Sequence, residues 1–290
     1  METFNLSYIL TTFNKLPYLK LVLPFLLENC KSDEEIVVVD GGSSDGSVEY
    51  LKDLYLQNKI HQYISEKDFG ESHGTNKAIL MARGKLIKII TDDDLFHYPT
   101  IEVAKNHMLS DHSIDVIGFD GFGYHVDSAI ANKRNVWKLY MKWKTTKMPF
   151  IFCGLSIIFS KNKLAYLGLL NTTQIAVDFE YTLRITSLKN INMRWIKNWG
   201  FINIANASSN SIKFEQAVYL DGISNKLYYQ HRKNLKYFVK RNIIFALSIF
   251  IKKEDKKEII SIENIGRNLP ECYIGLNQFL YSTKNHNELL

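Results

Sequence analysis

Three consecutive aspartates, Asp92, Asp93 and Asp94, follow the apolar run KLIKII at 85–90 after a single Thr91. Carboxylates packed this closely repel one another and raise each other's pKa. Water or a divalent cation must offset that repulsion. Hard cations such as Mn²⁺ or Mg²⁺ suit carboxylate oxygens, and Mg²⁺ commonly takes one or two of them together with substrate phosphates. The same residues also suit a solvated loop that opens a helix, where the helix dipole favours acids. A further acid, Asp40, ends the Val run of VVVDGGSSDGS at 37–47 and is followed by Gly and Ser. An acid at the carboxyl end of a parallel strand sits where open α/β sheets bind ligands. Asp40 therefore meets a ligand or caps its own turn, and Ser44 or Asp45 is placed to cap a helix from about Ser47.

The elements that must carry these residues alternate. LSYILTTFN (6–14), EIVVVD (35–40), IHQYIS (60–65), KLIKII (85–90) and DVIGFD (115–120) read as strands. The β-branched runs without alternation point to strands buried on both faces. Between them lie predicted helices. The first starts at Asn14 with Pro17 in its first turn, an apolar face of Leu19, Val22, Leu26 and Leu27, and a kink at Pro24. The second spans 46–57 with Val48, Leu51 and Leu54 inward, the third spans 72–84 and stops at Gly84, and the fourth spans 99–110. Later, 154–160 reads as a strand, 161–168 and 178–189 as helices, and MRWIKNWGFINIA as strand, turn, strand. This order predicts an α/β fold with a mostly parallel, Rossmann-like sheet and helices on both faces.

Four stretches, YILTTFNK, VVVDGGSSDGS, SEKDFGESHGTNKAI and KLIKIITDDDLFHYP, occur in this order, each with polar residues at a strand's carboxyl end. Together they resemble the family 2 glycosyltransferases, inverting enzymes of the GT-A fold, over about residues 6–210. The resemblance implies that Thr12 and Asp40 line the nucleotide base and ribose, and that Asp68, Asn76 and Lys77 lie along the nucleotide and its diphosphate. It implies that Asp93 is the main metal ligand, assisted by Asp94 or Asp92, with Mn²⁺ or Mg²⁺ on the diphosphate. Thr91 stands where many relatives carry Asp or Asn, which leaves open which two aspartates touch the metal. AVDFEYTLRI (176–185) resembles the segment that carries the family's base, which implies that Asp178 is that base. An acceptor hydroxyl needs a carboxylate to take its proton as it attacks, a contribution of about 10²–10⁴ in rate. Asp178 equally fits a helix N-cap, Glu180 is a second candidate base, and Glu180 with Arg184 also suits an i, i+4 ion pair. Ser208 and Ser209, in NIANASSNS, suit either a phosphate contact or a polar loop.

The chain's 290 residues suffice for one large domain or two modest ones. The expected division is a GT-A domain over 1–225 and a basic, amphipathic extension over 226–290. Residues 226–257 hold ten Lys/Arg against Glu254 and Asp255, a local charge of +8 in a chain of net +6. That segment suits an anionic membrane surface, a face packed on the domain, or a contact in a homo-oligomer. Its apolar run over 243–251 is too short to span a bilayer. No nucleic-acid module accompanies it, so no nucleic-acid partner is expected. Cys30, Cys153 and Cys272 form neither a metal spacing nor a disulfide framework, and no secretory signal is visible. The expected location is cytoplasmic, with a peripheral place on the cytoplasmic membrane face as an option. The expected reaction is transfer from a nucleotide sugar, most simply a UDP-sugar, to a glycan or lipid-linked acceptor. The alternatives are a non-catalytic nucleotide-binding scaffold and a sugar nucleotidyltransferase. TTFNKLP lacks the Gly-rich, Arg-containing loop of the latter.

Overall fold

The structure, a computed structural model, describes residues 4–126, 130–205, 215–231, 239, 243, 259–261, 268–283 and 287–290. The first half is a βα succession: β1 (Leu6–Thr12), α1 (Leu16–Asn29), β2 (Glu34–Asp40), α2 (Ser47–Leu56), β3 (Gln62–Ser65), α3 (Glu71–Met81), β4 (Leu86–Ile90), β5 (Leu95–Phe96) and α4 (Tyr98–Ser110). There follow β6 (Val116–His125), β7 (Ile130–Arg134), α5 (Trp137–Thr146), a 3₁₀ turn (Gly154–Ser156), β8 (Ile157–Ser160), α6 (Leu164–Leu167), α7 (Val177–Ser187) and β9 (Met193–Ala205). The last elements are α8 (Glu215–His231), β10 (Ile259–Ser261), α9 (Leu269–Ser282) and β11 (Glu288–Leu289).

One sheet joins the strands in the order β10-β7-β6-β8-β4-β1-β2-β3, with β9 on β6 and the short β5 and β11 on β9. The half β3-β2-β1-β4 is parallel, whereas β8 pairs antiparallel with β4 and β6, and β7 with β6. Every residue of β2 is buried, because helices cover both faces. Leu6, Tyr8 and Leu10 of β1 pack with Leu19, Leu23 and Leu26 of α1 and Leu51 of α2, while Ile9 turns the other way with Val37, Val39, Ile79 and Tyr181. That division follows the two-residue period of a strand. It explains why the Val run shows no alternation.

Several local readings change. The Asn14 side chain does not cap α1: it is in the left-handed region (φ 53) and accepts from the Ser44 amide at 2.8 Å. Asp45 satisfies both helix starts instead, one carboxylate oxygen accepting from Leu16 N (2.8 Å) and the other from Ser47 N (3.1 Å). α3 ends at Met81, before Gly84. Gly84 is needed for close approach, since a Cβ there would lie 2.7 Å from Ser7 N. MRWIKNWGFINIA is a single strand, not two. Its irregular register with β6 around Asp120 absorbs the break that Asn198 and Gly200 suggest.

The chain's end returns to this sheet. Cys272, Tyr273, Leu276 and Leu280 of α9 join Leu95, Phe122, Tyr124, Ile202 and Ile204 in one apolar cluster. Most of the basic segment 226–257, with its expected membrane or oligomer contact, lies outside the described residues, as do Ser208 and Ser209. Among the described residues no helix is long and apolar enough to cross a membrane.

Candidate active site

The parallel strands end level with one another, because the register pairs Thr12 with Asp40 and Asp40 with Ser65. Their carboxyl ends and following loops form one edge, and most of the candidate residues stand on it. Asp40 is fully buried. One of its oxygens accepts from Gly42 N (3.0 Å), Ser43 N (3.0 Å) and Ser65 Oγ (2.6 Å), and the other from Ser43 Oγ. Its carboxylate therefore builds the 40–43 turn and ties it to β3. Gly42, at φ 84, supplies the left-handed residue this turn needs.

Asp68 projects into the space that two glycines leave. A Cβ on Gly41 would stand 2.8 Å from Asp68 Oδ2, and one on Gly74 3.0 Å from the same atom. The other Asp68 oxygen accepts from Gly70 N at 2.9 Å. Lys77 is paired with Glu66 at 2.6 Å. Asn76 clasps the backbone of Leu170, donating to its carbonyl and accepting from its amide, each at 2.9 Å. Its amide thus pins the segment after α6 to α3, and it does so with the polar atoms expected to lie along the nucleotide.

The acidic segment divides into three environments. Asp94 is buried, and its oxygens accept from Ile204 N (2.6 Å), Thr91 Oγ1 (2.5 Å) and the Asn203 amide (3.2 Å to each oxygen). Burial, then the Asp93 charge, still pushes its pKa up to about 7. Asp93 is ion-paired with Lys15, and the Tyr273 hydroxyl of α9 donates to its backbone carbonyl. Asp92 is raised to about 8 by burial and by Asp93, against the pull of Lys15. The buried Thr12 hydroxyl makes no well-formed hydrogen bond among the described residues, yet it lies near enough to favour the charged form of Asp92.

Asp178 lies inside the first turn of α7 and is not its cap. Ala176 precedes the helix, and Asp221 of α8 accepts from the amides of Ile175 (3.0 Å) and Ala176 (3.4 Å). The Asp178 carboxylate instead turns to the 3₁₀ turn and accepts from Gly154 N at 3.0 Å. Burial raises its pKa, opposed by that amide, by the positive charge of Arg134 and by the Cys153 thiol. The Cys153 thiol is itself pushed up to about 12 by burial and by Asp178, and it feels Asp94 as well. Asp178 and the acidic segment therefore share one region of the protein. Glu180 is engaged elsewhere, accepting from Arg184 Nε at 3.0 Å and from the Tyr229 hydroxyl.

Five polar residues of this region escaped the sequence reading: Lys15, Lys88, Arg134, Asn203 and Tyr273. Lys88 had a signal, a charge in the middle of an apolar strand. Lys15 closes the stretch YILTTFNK, just before α1, whereas Arg134, Asn203 and Tyr273 come from strands and a helix remote in sequence, and nothing in their local patterns marks them.

A metal must be fitted to these side chains as they stand. Among the described residues, no three His, Cys, Asp or Glu side chains converge as a cation site. The Asp94 oxygens are taken up by β9 and Thr91. The carboxylates that could hold a divalent cation are Asp92 and Asp93, hard oxygen ligands whose mutual repulsion it would relieve, although one Asp93 oxygen is ion-paired with Lys15 and would have to be shared or released.

Residues 7–168 match the family described as Glycosyl transferase family 2. Among curated proteins, the chain is 26% identical over 113 residues to a cholesterol galactosyltransferase of Borreliella burgdorferi, covering 39% of this chain and 32% of that protein. It is 21% identical over 140 residues to a chondroitin synthase of Escherichia coli, covering 48% of this chain and 20% of that one. The chain thus spans a third or less of the length of these relatives. Among solved structures, TarS 1–349 of S. aureus in complex with UDP-GlcNAc superposes with a TM-score of 0.58 at 15% identity, covering 86% of this chain and 76% of that one. The mannosyltransferase PcManGT from Pyrobaculum calidifontis, in complex with GDP-Man and Mn²⁺, gives 0.56 at 17% identity over 85% and 71%. At these identities the likeness to the solved structures speaks for the fold, GT-A in kind.

Proposed function

The chain belongs to glycosyl transferase family 2, and from that membership we propose that it transfers a sugar, with inversion, from a UDP-sugar to a hydroxyl of a glycan or lipid-linked acceptor. A nucleotide-sugar donor accords with the UDP-GlcNAc and GDP-Man complexes of its structural neighbours. The observation that carries the reading is the meeting of two chemistries in one region: an acidic segment at the strand ends and a separate, half-buried carboxylate, Asp178, held by the Gly154 amide, whose neighbour Cys153 feels both.

In this reading Thr12 and the 40–43 turn line the base and ribose, with Asp40 acting through the turn that it shapes. Asp68 reaches the nucleotide between Gly41 and Gly74, and Lys77 offers its charge to the diphosphate. Asn76 fixes the Leu170 segment behind them. Asp93 and Asp92 would hold Mn²⁺ or Mg²⁺, and Asp94 braces the segment against β9. A bound divalent ion offsets the charge gathering on the leaving diphosphate. Asp178 takes the proton of the attacking hydroxyl. The Gly154 amide orients it.

The test is a screen of nucleotide sugars for release of the nucleoside diphosphate, with and without Mn²⁺, on the wild type and on Asp178→Asn. The expected result is metal-stimulated release with a UDP-sugar. The variant should show the same thermal stabilisation by UDP and a turnover about 10²–10⁴-fold lower. Turnover retained by Asp178→Asn would remove it as the base. UDP stabilisation without turnover on any sugar would favour a non-catalytic binding protein.

A further inference from the structure

We propose that Lys15 competes with the divalent ion for the Asp93 carboxylate, so that the ion binds tightly only when nucleotide enters with it. The inference deepens the reading above and rests on Asp93 being a metal ligand.

Lys15 is an unusual residue for its place. It stands at the N-cap of α1, where the amides of Tyr18 and Leu19 donate to its backbone carbonyl at 3.0 and 2.9 Å. That position favours a side chain that accepts from the first free amides, and the helix dipole disfavours a cation there. The Lys15 side chain makes no cap. Local rules of this kind are broken mainly where function asks for it. Asn14, at φ 53, turns the chain just before it, and the Lys15 ammonium meets the Asp93 carboxylate.

The pair is held from both ends. Each side chain is only 13% exposed, which sets this contact apart from the weak ion pairs of an open surface. The ammonium also stands 4.9 Å from the ring centre of Tyr18. That ring lies 6.3 Å from the ring of Tyr273, whose hydroxyl donates to the Asp93 backbone carbonyl. Lys15, Tyr18, Tyr273 and Asp93 thus close a circle of contacts that joins the start of α1, α9 and the loop after β4.

The consequence follows from charge. An ion takes the Asp93 oxygens in full only by displacing an ammonium that is already seated on them. The ion alone brings nothing to offset the lysine it frees. A diphosphate does, because it carries negative charge beyond the oxygens that ligate the ion. The released ammonium keeps the Tyr18 ring as a second partner. Nucleotide and ion therefore favour each other's binding by more than the bonds between them supply.

The test measures Mn²⁺ binding to the full chain from the electron paramagnetic resonance signal of the unbound ion, with no sugar donor present. Without nucleotide, Lys15→Met should bind Mn²⁺ about tenfold more tightly than the wild type. Lys15→Gln should match it, and Lys15→Arg, which keeps the charge, should stay close to the wild type. Lys20→Met removes the same charge from an exposed position of α1 and should change the affinity by less than about twofold in about 0.15 M salt. Adding UDP should tighten Mn²⁺ binding in both proteins, by a smaller factor in Lys15→Met. Neutral Lys15 variants with wild-type thermal unfolding that bind Mn²⁺ no more tightly than the wild type would overturn the proposal, since ion and ammonium would then share the carboxylate. An equal gain in Lys20→Met would overturn it too, by reducing the effect to net charge. Asp93→Asn should lose Mn²⁺ binding. Wild-type affinity in Asp93→Asn would instead sink the ligand assignment, whatever the lysine variants show.

Discussion

Lys88→Met probes the least expected burial in the sheet. Lys88 lies in β4 with 0% of its surface exposed. Its ammonium donates to the carbonyls of Leu155 (2.6 Å) and Ile89 (2.9 Å), and it stands 4.9 Å from the ring centre of Phe96 and 5.2 Å from that of Phe119. Desolvation lowers its pKa from 10.5 to about 7, against weaker upward pulls from Cys153 and Asp94. The unfolded chain titrates at the ordinary value. Between about pH 7 and 10.5 the unfolded state therefore holds a proton that the folded state lacks, and stability rises with pH at about 1.4 kcal/mol per unit. Below the folded pKa the penalty is fully present, at about 5 kcal/mol. Methionine carries no charge and has no such slope, but it leaves the Leu155 carbonyl without its donor, at a cost of about 1–3 kcal/mol. Urea unfolding should then find Lys88→Met more stable than the wild type by about 2–4 kcal/mol near pH 6, with about 3 kcal/mol of that advantage lost by about pH 9. Asp92 and Asp94, raised by burial, make both proteins lose stability as pH climbs from the ordinary carboxylate range towards about 8 and 7. That loss is common to both and largely cancels in the difference. A difference that does not change with pH, or a less stable variant at about pH 6, would refute the reasoning. It would mean that two carbonyls and two aromatic faces solvate the ammonium as well as water does.

Two further outcomes are expected. Asp93→Ala should abolish the Mn²⁺-dependent part of the thermal stabilisation by UDP while leaving the metal-independent part. An undiminished Mn²⁺ effect in calorimetry would move the ligand role to Asp92 or Asp94. Asn76→Ala removes two hydrogen bonds to the backbone of Leu170, itself 7% exposed. It should cost about 1–3 kcal/mol in urea unfolding, and a loss of UDP binding with unchanged stability would return Asn76 to the nucleotide.

The sequence by itself determined the parallel half of the sheet and the edge on which the site stands. Unbroken β-branched runs demand helices on both faces, and the turn residues after each run announce where each strand stops. Asp40, Asp68 and Asp92–Asp94 were legible for that reason: each follows its strand within a few residues, so local pattern and site position coincide. What those side chains do there was decided by tertiary structure. Whether a carboxylate or amide is open to a ligand or spent on the protein's own groups depends on partners that arrive from elsewhere, as Ser65 does for Asp40, Ile204 and Asn203 for Asp94, and Leu170 for Asn76. Arg134, Asn203 and Tyr273 reach the site from β7, β9 and a C-terminal helix, across up to 180 residues of chain. No periodicity encodes such a meeting, because a contact between distant segments is fixed by sheet register and by the small residues that allow close approach. Gly123 under Arg134 and Gly41 beside Asp68 are the clearest cases: in the sequence they are only glycines, and their purpose exists only once the strands and loops are side by side.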